Sequence, residues 1–168
     1  MIIEMGYLFN RNGATLPVEL VEQIDDAKDY PDVVEFAEPV KIEGTLKNED
    51  DVFVLDAKGE TAVLMECSCC LAPVRKELCF EIKERFAHTG RENKETETFT
   101  GDQIDLADFV KRGIIGELPM KVLCREDCKG LCPVCGKDLN EGDCGCDRTI
   151  RDPRFESLRA LFSDDEEV

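Results

Sequence analysis

The sequence predicts an α+β fold: an antiparallel β meander, forming a sheet or partial barrel, with one main helix, a C-terminal cysteine-rich zinc module and a short terminal helix. Three observations carry that expectation. Val74, Leu78, Phe80, Ile82 and Phe86 share one parity while Arg75, Glu77, Glu81, Lys83 and Arg85 share the other, the alternation of a strand with one buried face. Leu106, Phe109, Val110, Ile114 and Leu118 recur at helical spacing. Six of the ten cysteines crowd into residues 124–146.

The elements follow in chain order. Ile2 to Phe9 is apolar enough to add a strand. Val40, Ile42 and Leu46 alternate with Lys41, Glu43, Thr45 and Lys47, and Asn48-Glu49-Asp50-Asp51 reads as a turn before the short run Val52–Leu55. Asp56-Ala57-Lys58-Gly59 reads as a hairpin turn with Gly59 at a positive φ. Thr61 to Cys67 and Val74 to Phe86 give further strands, and the polar stretch from His88 to Gly101 reads as a mobile loop. The main helix is expected near 105–118, with Asp105 and Asp108 at the positive end of its dipole and Pro119 ending it. A terminal helix is expected after Asp152-Pro153, on the stripe Phe155, Leu158, Leu161 and Phe162. The divisions are a β-rich body over 1–123, a cysteine-rich module over 124–150, and a helix and acidic tail over 151–168.

Composition narrows the function. The 168 residues carry a net charge of −17, with 16 acidic against 5 basic side chains in residues 1–66 and a near balance of 10 against 9 in residues 67–123. Phosphate affinity follows clustered lysine and arginine, so the first third is a poor nucleic-acid surface and suits a basic protein partner better. The candidates for RNA or partner contact are Lys83, Arg85, Arg91, Lys94, Arg148, Arg151 and Arg154. No apolar run approaches the roughly 18 residues of a membrane span. The N-terminal residues lack the basic-then-apolar pattern of a secretory signal, so a cytoplasmic location is expected. In a reducing compartment, ten thiols read as metal ligands or redox groups before disulfides.

The strongest unit is Cys132-Pro133-Val134-Cys135-Gly136, followed by Cys144-Gly145-Cys146. Two intervening residues let both sulfurs reach one ion, and Gly136 can take the positive φ that closes the knuckle. Four thiolates of this kind suit a closed, structural zinc site at Cys132, Cys135, Cys144 and Cys146. Cys124 and Cys128 are alternates, or all six bridge two zinc ions; an iron–sulfur cluster is a minor option. Few large apolar residues lie in 124–150, so this module is expected to need its metal to fold. Upstream, Cys67 and Cys70 have the same spacing at a turn between strands. They read as a reduced pair, or in second place as half of another metal site. The one histidine, His88, reads as a surface residue. Phosphate-loop, dinucleotide and serine-nucleophile fingerprints are absent, so no enzyme and no small-molecule substrate is expected.

The run Leu118-Pro119, Cys124 to Gly136, Asp138-Leu139-Asn140 and Cys144-Gly145-Cys146 resembles the YceD family, also called large ribosomal RNA subunit accumulation protein. Asp152-Pro153-Arg154 with Leu158 and Leu161 is similar to that family's C-terminal signature, and Cys67 to Leu71 to its Cys-x-Arg-Cys-Leu element. Cys69 stands where the family has the arginine, which removes any phosphate or carboxylate contact that residue would make. The resemblance implies a non-enzymatic role in synthesis, processing or stability of large-subunit (23S) ribosomal RNA. The implied partners are an RNA precursor, a basic ribosomal protein, or both. A zinc- or redox-responsive adaptor for protein partners is the alternative.

Overall fold

The computed structural model describes residues 1–90 and 95–148. Among the described residues, eight strands and one helix are laid out: β1 Ile2–Glu4, β2 Thr15–Glu22, β3 Val33–Phe36, β4 Val40–Glu49, β5 Val52–Glu66, β6 Pro73–His88, β7 Glu97–Phe99, β8 Gln103–Asp105 and α1 Ala107–Glu117. The chain divides into two compact units, Met1–Glu126 and the segment from Asp127 onward. Among the described residues, no helix is long and apolar enough to cross a membrane.

The first unit is organised by β5 and β6, which pair antiparallel from Val52↔Ala87 to Glu66↔Pro73. The main sheet runs β2-β4-β5-β6-β7, with β3 pairing the far end of β5, and β1 pairs β8 separately. All pairings are antiparallel except β6 with β7, so the sheet is mixed. The alternation read in β4 and β6 holds in three dimensions. Val40, Ile42 and Leu46 are buried, as are Leu78, Phe80, Ile82 and Phe86, while Arg75, Glu77, Glu81, Lys83 and Arg85 are exposed. The outer face is a chequerboard of charge across β4, β5 and β6, with Lys41 beside Glu60 and Glu43 beside Lys58, then Asp56 beside Lys83 and Lys58 beside Glu81. Opposite charges in directly facing positions support the register.

Two expected turns differ in outcome. Asp50 and Asp51 form the β4–β5 turn, both at positive φ (52° and 65°), as a two-residue primed hairpin requires. Asn48 secures it: its Oδ1 accepts from the Asp51 N–H at 2.9 Å and its Nδ2 donates to the Leu8 carbonyl at 2.8 Å. Residues 56–59 are no turn, since β5 runs unbroken through them. Gly59 faces Phe80, and a Cβ there would lie 2.1 Å from the ring. Gly113 of α1 meets the same ring, at 2.5 Å from a built Cβ. Both glycines therefore make room for Phe80, which is how α1 seats on β6. The expected loop over 88–101 also contains a strand, β7, whose Phe99 packs edge-on against Phe53 with ring centroids 5.6 Å apart.

The helix begins two residues later than the pattern suggests. Val110 and Ile114 are its buried residues, and Asp105 Oδ1 accepts from the Ala107 N–H at 2.9 Å. Its end is set by Pro119, which holds Leu118 in extended backbone (φ −64°, ψ 126°). The helix expected after Asp152-Pro153 lies outside the described residues.

Candidate metal centres

The C-terminal module builds its site from a backbone turn. The Gly136 N–H donates to the Cys132 carbonyl and the Cys132 N–H donates to the Lys137 carbonyl, both at 2.8 Å. Gly136 sits at φ 74°, a conformation glycine reaches without strain. Leu131 and Asp138 form a bridge behind the turn, and the Leu139 N–H donates to the Gly130 carbonyl at 2.9 Å. The Asn140 side chain accepts from the Lys129 N–H at 2.9 Å and holds that return in place. Asp143 caps the next turn, accepting from the Gly145 N–H at 3.3 Å and pairing with Arg148 at 2.6 Å.

These turns bring the sulfurs of Cys132, Cys135, Cys144 and Cys146 within 4.8 Å of one another. A tetrahedral ion with metal–sulfur bonds of about 2.3 Å needs sulfurs about 3.8 Å apart, so the set fits a tetrathiolate ion after small adjustments. The crowding of the four thiols shows in their electrostatics. Backbone N–H groups of Cys135 and then Val134 hold the Cys132 thiol down at about 6. Cys146 is pushed up to about 12, because its hydrogen bonds with Cys144 and Cys135 favour the protonated form. A divalent cation reverses that penalty, since a coordinating thiol loses its proton outright.

A second group gathers Cys67, Cys70, Cys124 and Cys128, also within 4.8 Å of one another. The structure thus separates the six clustered cysteines: Cys124 and Cys128 join the upstream pair and do not replace members of the C-terminal set. Cys67 and Cys70, which the sequence reads first as a reduced pair, are both buried. The Cys67 thiol is held down at about 6 by the N–H groups of Cys69 and then Cys70. Two cysteine clusters of this chain can therefore hold a metal ion. Cys79 is exposed on the charged face. His88 belongs to neither cluster and packs edge-on against Phe99, with ring centroids 5.4 Å apart.

Comparison with known proteins agrees with the cysteine pattern. Residues 55–162 match the family model described as "Large ribosomal RNA subunit accumulation protein YceD". The chain belongs to the YceD family. Among curated relatives of this YceD-family chain, "Uncharacterized protein YlbN" of Bacillus subtilis is 32% identical over 138 residues, covering 77% of each chain. "Uncharacterized protein Rv2926c" of Mycobacterium tuberculosis is 36% identical over 99 residues, covering 55% of this chain and 47% of the relative. The match therefore spans about half the length of that mycobacterial protein. No solved structure matches.

The basic candidates fall in different places. Lys83 is exposed on β6, with its ammonium 2.7 Å from Glu81 Oε2, and Arg85 is exposed two residues further along. Arg148 pairs with Asp143. Arg91, Lys94, Arg151 and Arg154 lie outside the described residues. Lys41, Lys47 and Lys58, which are not among those candidates, share the outer face of the sheet with Lys83 and Arg85. Their alternation with Glu and Asp in sequence was the available signal, because strand parity alone places them on that face.

Proposed function

We propose that this chain is a non-enzymatic assembly factor that supports the accumulation of large-subunit ribosomal RNA, through its synthesis, processing or stability. The observation that carries this reading is the family match over residues 55–162. The same reading places the chain in the cytoplasm with a precursor ribosomal particle. It takes a structural zinc ion at Cys132, Cys135, Cys144 and Cys146, because four thiolates suit zinc and leave no open position for catalysis.

The contact is to RNA, to a basic ribosomal protein, or to both, and charge favours the protein for most of the body. Residues 1–66 hold an excess of 11 acidic side chains, and Lys83 and Arg148 each face a carboxylate. A polyanion gains little from lysines and arginines already neutralised by neighbours. A basic protein tail gains from the acidic lobe and is steered to it.

Ultraviolet crosslinking and affinity capture of the tagged, metal-loaded chain test the reading. Enrichment of large-subunit precursor RNA or large-subunit ribosomal proteins is the expected result. Failure to co-sediment with such precursors contradicts it. The second reading, a redox- or zinc-responsive adaptor, draws on the low thiol pKa at Cys67 and Cys132. It requires those thiols to react reversibly in the native protein, whereas a structural zinc site keeps them inert.

A further inference from the structure

The turn joining β5 to β6 repeats the C-terminal knuckle bond for bond. The Cys67 N–H donates to the Ala72 carbonyl at 2.8 Å, as the Cys132 N–H does to Lys137. The Leu71 N–H donates to the Cys67 carbonyl at 2.9 Å, as the Gly136 N–H does to Cys132. At each turn the first sulfur accepts from the two backbone N–H groups that lead to the second cysteine or belong to it. Leu71 has φ 61° where Gly136 has φ 74°.

A hairpin has no need of this geometry. Two-residue primed turns join antiparallel strands without it, as Asp50-Asp51 does one hairpin earlier. Left-handed backbone at a leucine costs about 1–2 kcal/mol, and Leu71 recovers little of it by packing, being more than half exposed. A neutral thiol is a weak acceptor, so two N–H groups converging on Cys67 are well used only if that sulfur is a thiolate. Strain held in this way points to a site.

The remaining donors are delivered by the chain that follows α1. The Ser68 N–H donates to the Val122 carbonyl at 2.8 Å, and the Val122 N–H donates to Ser68 Oγ at 3.1 Å. That pair of bonds sets the Cys124 sulfur 3.5 Å from the Cys70 sulfur and points the Cys124 N–H at the Cys67 sulfur, 3.4 Å away. Cys67 is fully buried and Cys70 nearly so, so the site is closed on that side.

We propose that Cys67, Cys70 and Cys124, with Cys128 four residues further along the same loop, bind a second soft divalent cation, zinc by its donor set. The protein then carries two tetrathiolate ions. Loading releases to solvent whatever protons the four thiols still hold, and the product is a dianionic tetrathiolate whose excess charge is spread onto backbone N–H groups. No electron is transferred. This ion clips the β5–β6 turn to the loop leaving α1, while the other closes the C-terminal module. The proposal does not rest on the ribosomal reading, since it concerns metal content alone.

Elemental analysis of the full chain, purified under reducing conditions, tests it. Two zinc ions per chain are expected, falling to one in C67S/C70S and to one in C132S/C135S. A single ion in the unaltered protein that C67S/C70S leaves in place overturns the proposal. If C67S/C70S does not fold, titration of the metal-stripped unaltered chain with cobalt(II) decides. The sulfur-to-cobalt charge-transfer band should saturate at two equivalents, and saturation at one overturns the proposal. Alkylation of the zinc-loaded native chain gives an independent reading. Cys69 and Cys79 alone should be modified, and ready modification of Cys67 or Cys70 contradicts a closed site. Iron with acid-labile sulfide in place of zinc also overturns it.

Discussion

Phe53, Phe86, Met5, Leu8, Ile42, Leu46 and Leu55 are all fully buried in the body, within one continuous apolar cluster. In residues 127–148 the buried apolar residues are Cys132 and Leu139, and Val134 is 61% exposed. The body pays its ordering entropy with hydrophobic burial, and the module has almost none to offer. What replaces it is a shell of backbone hydrogen bonds around thiols, which becomes stabilising once a cation is bound. The same knuckle therefore has two different weights. Under the β5–β6 turn it trims a structure that already has a core, and in the module it is the core.

Breaking the module's knuckle should give the largest effect. Metal binding supplies about 10–16 kcal/mol to small structural zinc sites, far more than this module gains by burial. In C132S/C135S, amide protection should vanish over 127–148 and persist in β4, β5 and β6, as read by hydrogen exchange. Protection retained in the module would show that burial suffices there. In the body the comparable blow is to a core side chain. Phe53→Ala should cost about 3–5 kcal/mol in denaturant unfolding and leave the C-terminal ion bound. Next comes Gly59→Ala, whose methyl group would strike the Phe80 ring. A loss of about 1–3 kcal/mol is expected, and a neutral result would mean that Phe80 has room to move.

Smaller effects separate the two knuckles. Gly136→Leu places a side chain in left-handed backbone and should cost about 1–2 kcal/mol. Leu71→Gly relieves that same strain, but its added freedom in the unfolded chain offsets about 0.5–1 kcal/mol, so its net change should stay under about 1 kcal/mol. Equal and large losses in both would deny that the turns share a conformation. Acid offers a last contrast. The folded Cys132 pKa of about 6 lies below the usual thiol value of about 8.5. Its thiolate thus favours the knuckle conformation above the unfolded pKa, and that preference is lost as pH falls through about 6. Since Cys146 still holds its proton at neutral pH, metal uptake should release protons and tighten as pH rises. Potentiometric titration during cobalt loading measures both.

How far the sequence could be read followed the range of the interactions. The β6 alternation and the helix stripe depend on neighbours within a few residues, and both were legible. So was the C-terminal set, whose four ligands fall within 15 residues. Gly59 was misread because its reason is Phe80, across the strand pair and 21 residues away. The strand β2 escaped because Val18 is its one buried residue and Pro17 breaks the strand-like sequence pattern without breaking the strand. The upstream cluster was legible only by half, Cys67 and Cys70 reading in second place as half of a metal site, and its completion was hidden for the same cause as Gly59. Cys124 lies 54 residues beyond Cys70, and only the folded path through α1 brings them together. The partner surface is the least legible feature, because strand parity puts cations on a face without saying which of them a carboxylate already holds.

The most direct measurement is the ratio of large- to small-subunit ribosomal RNA in cells lacking this chain. A fall in that ratio is expected, restored by the unaltered chain and restored poorly by C132S/C135S. An unchanged ratio and unchanged ribosome profiles would contradict it.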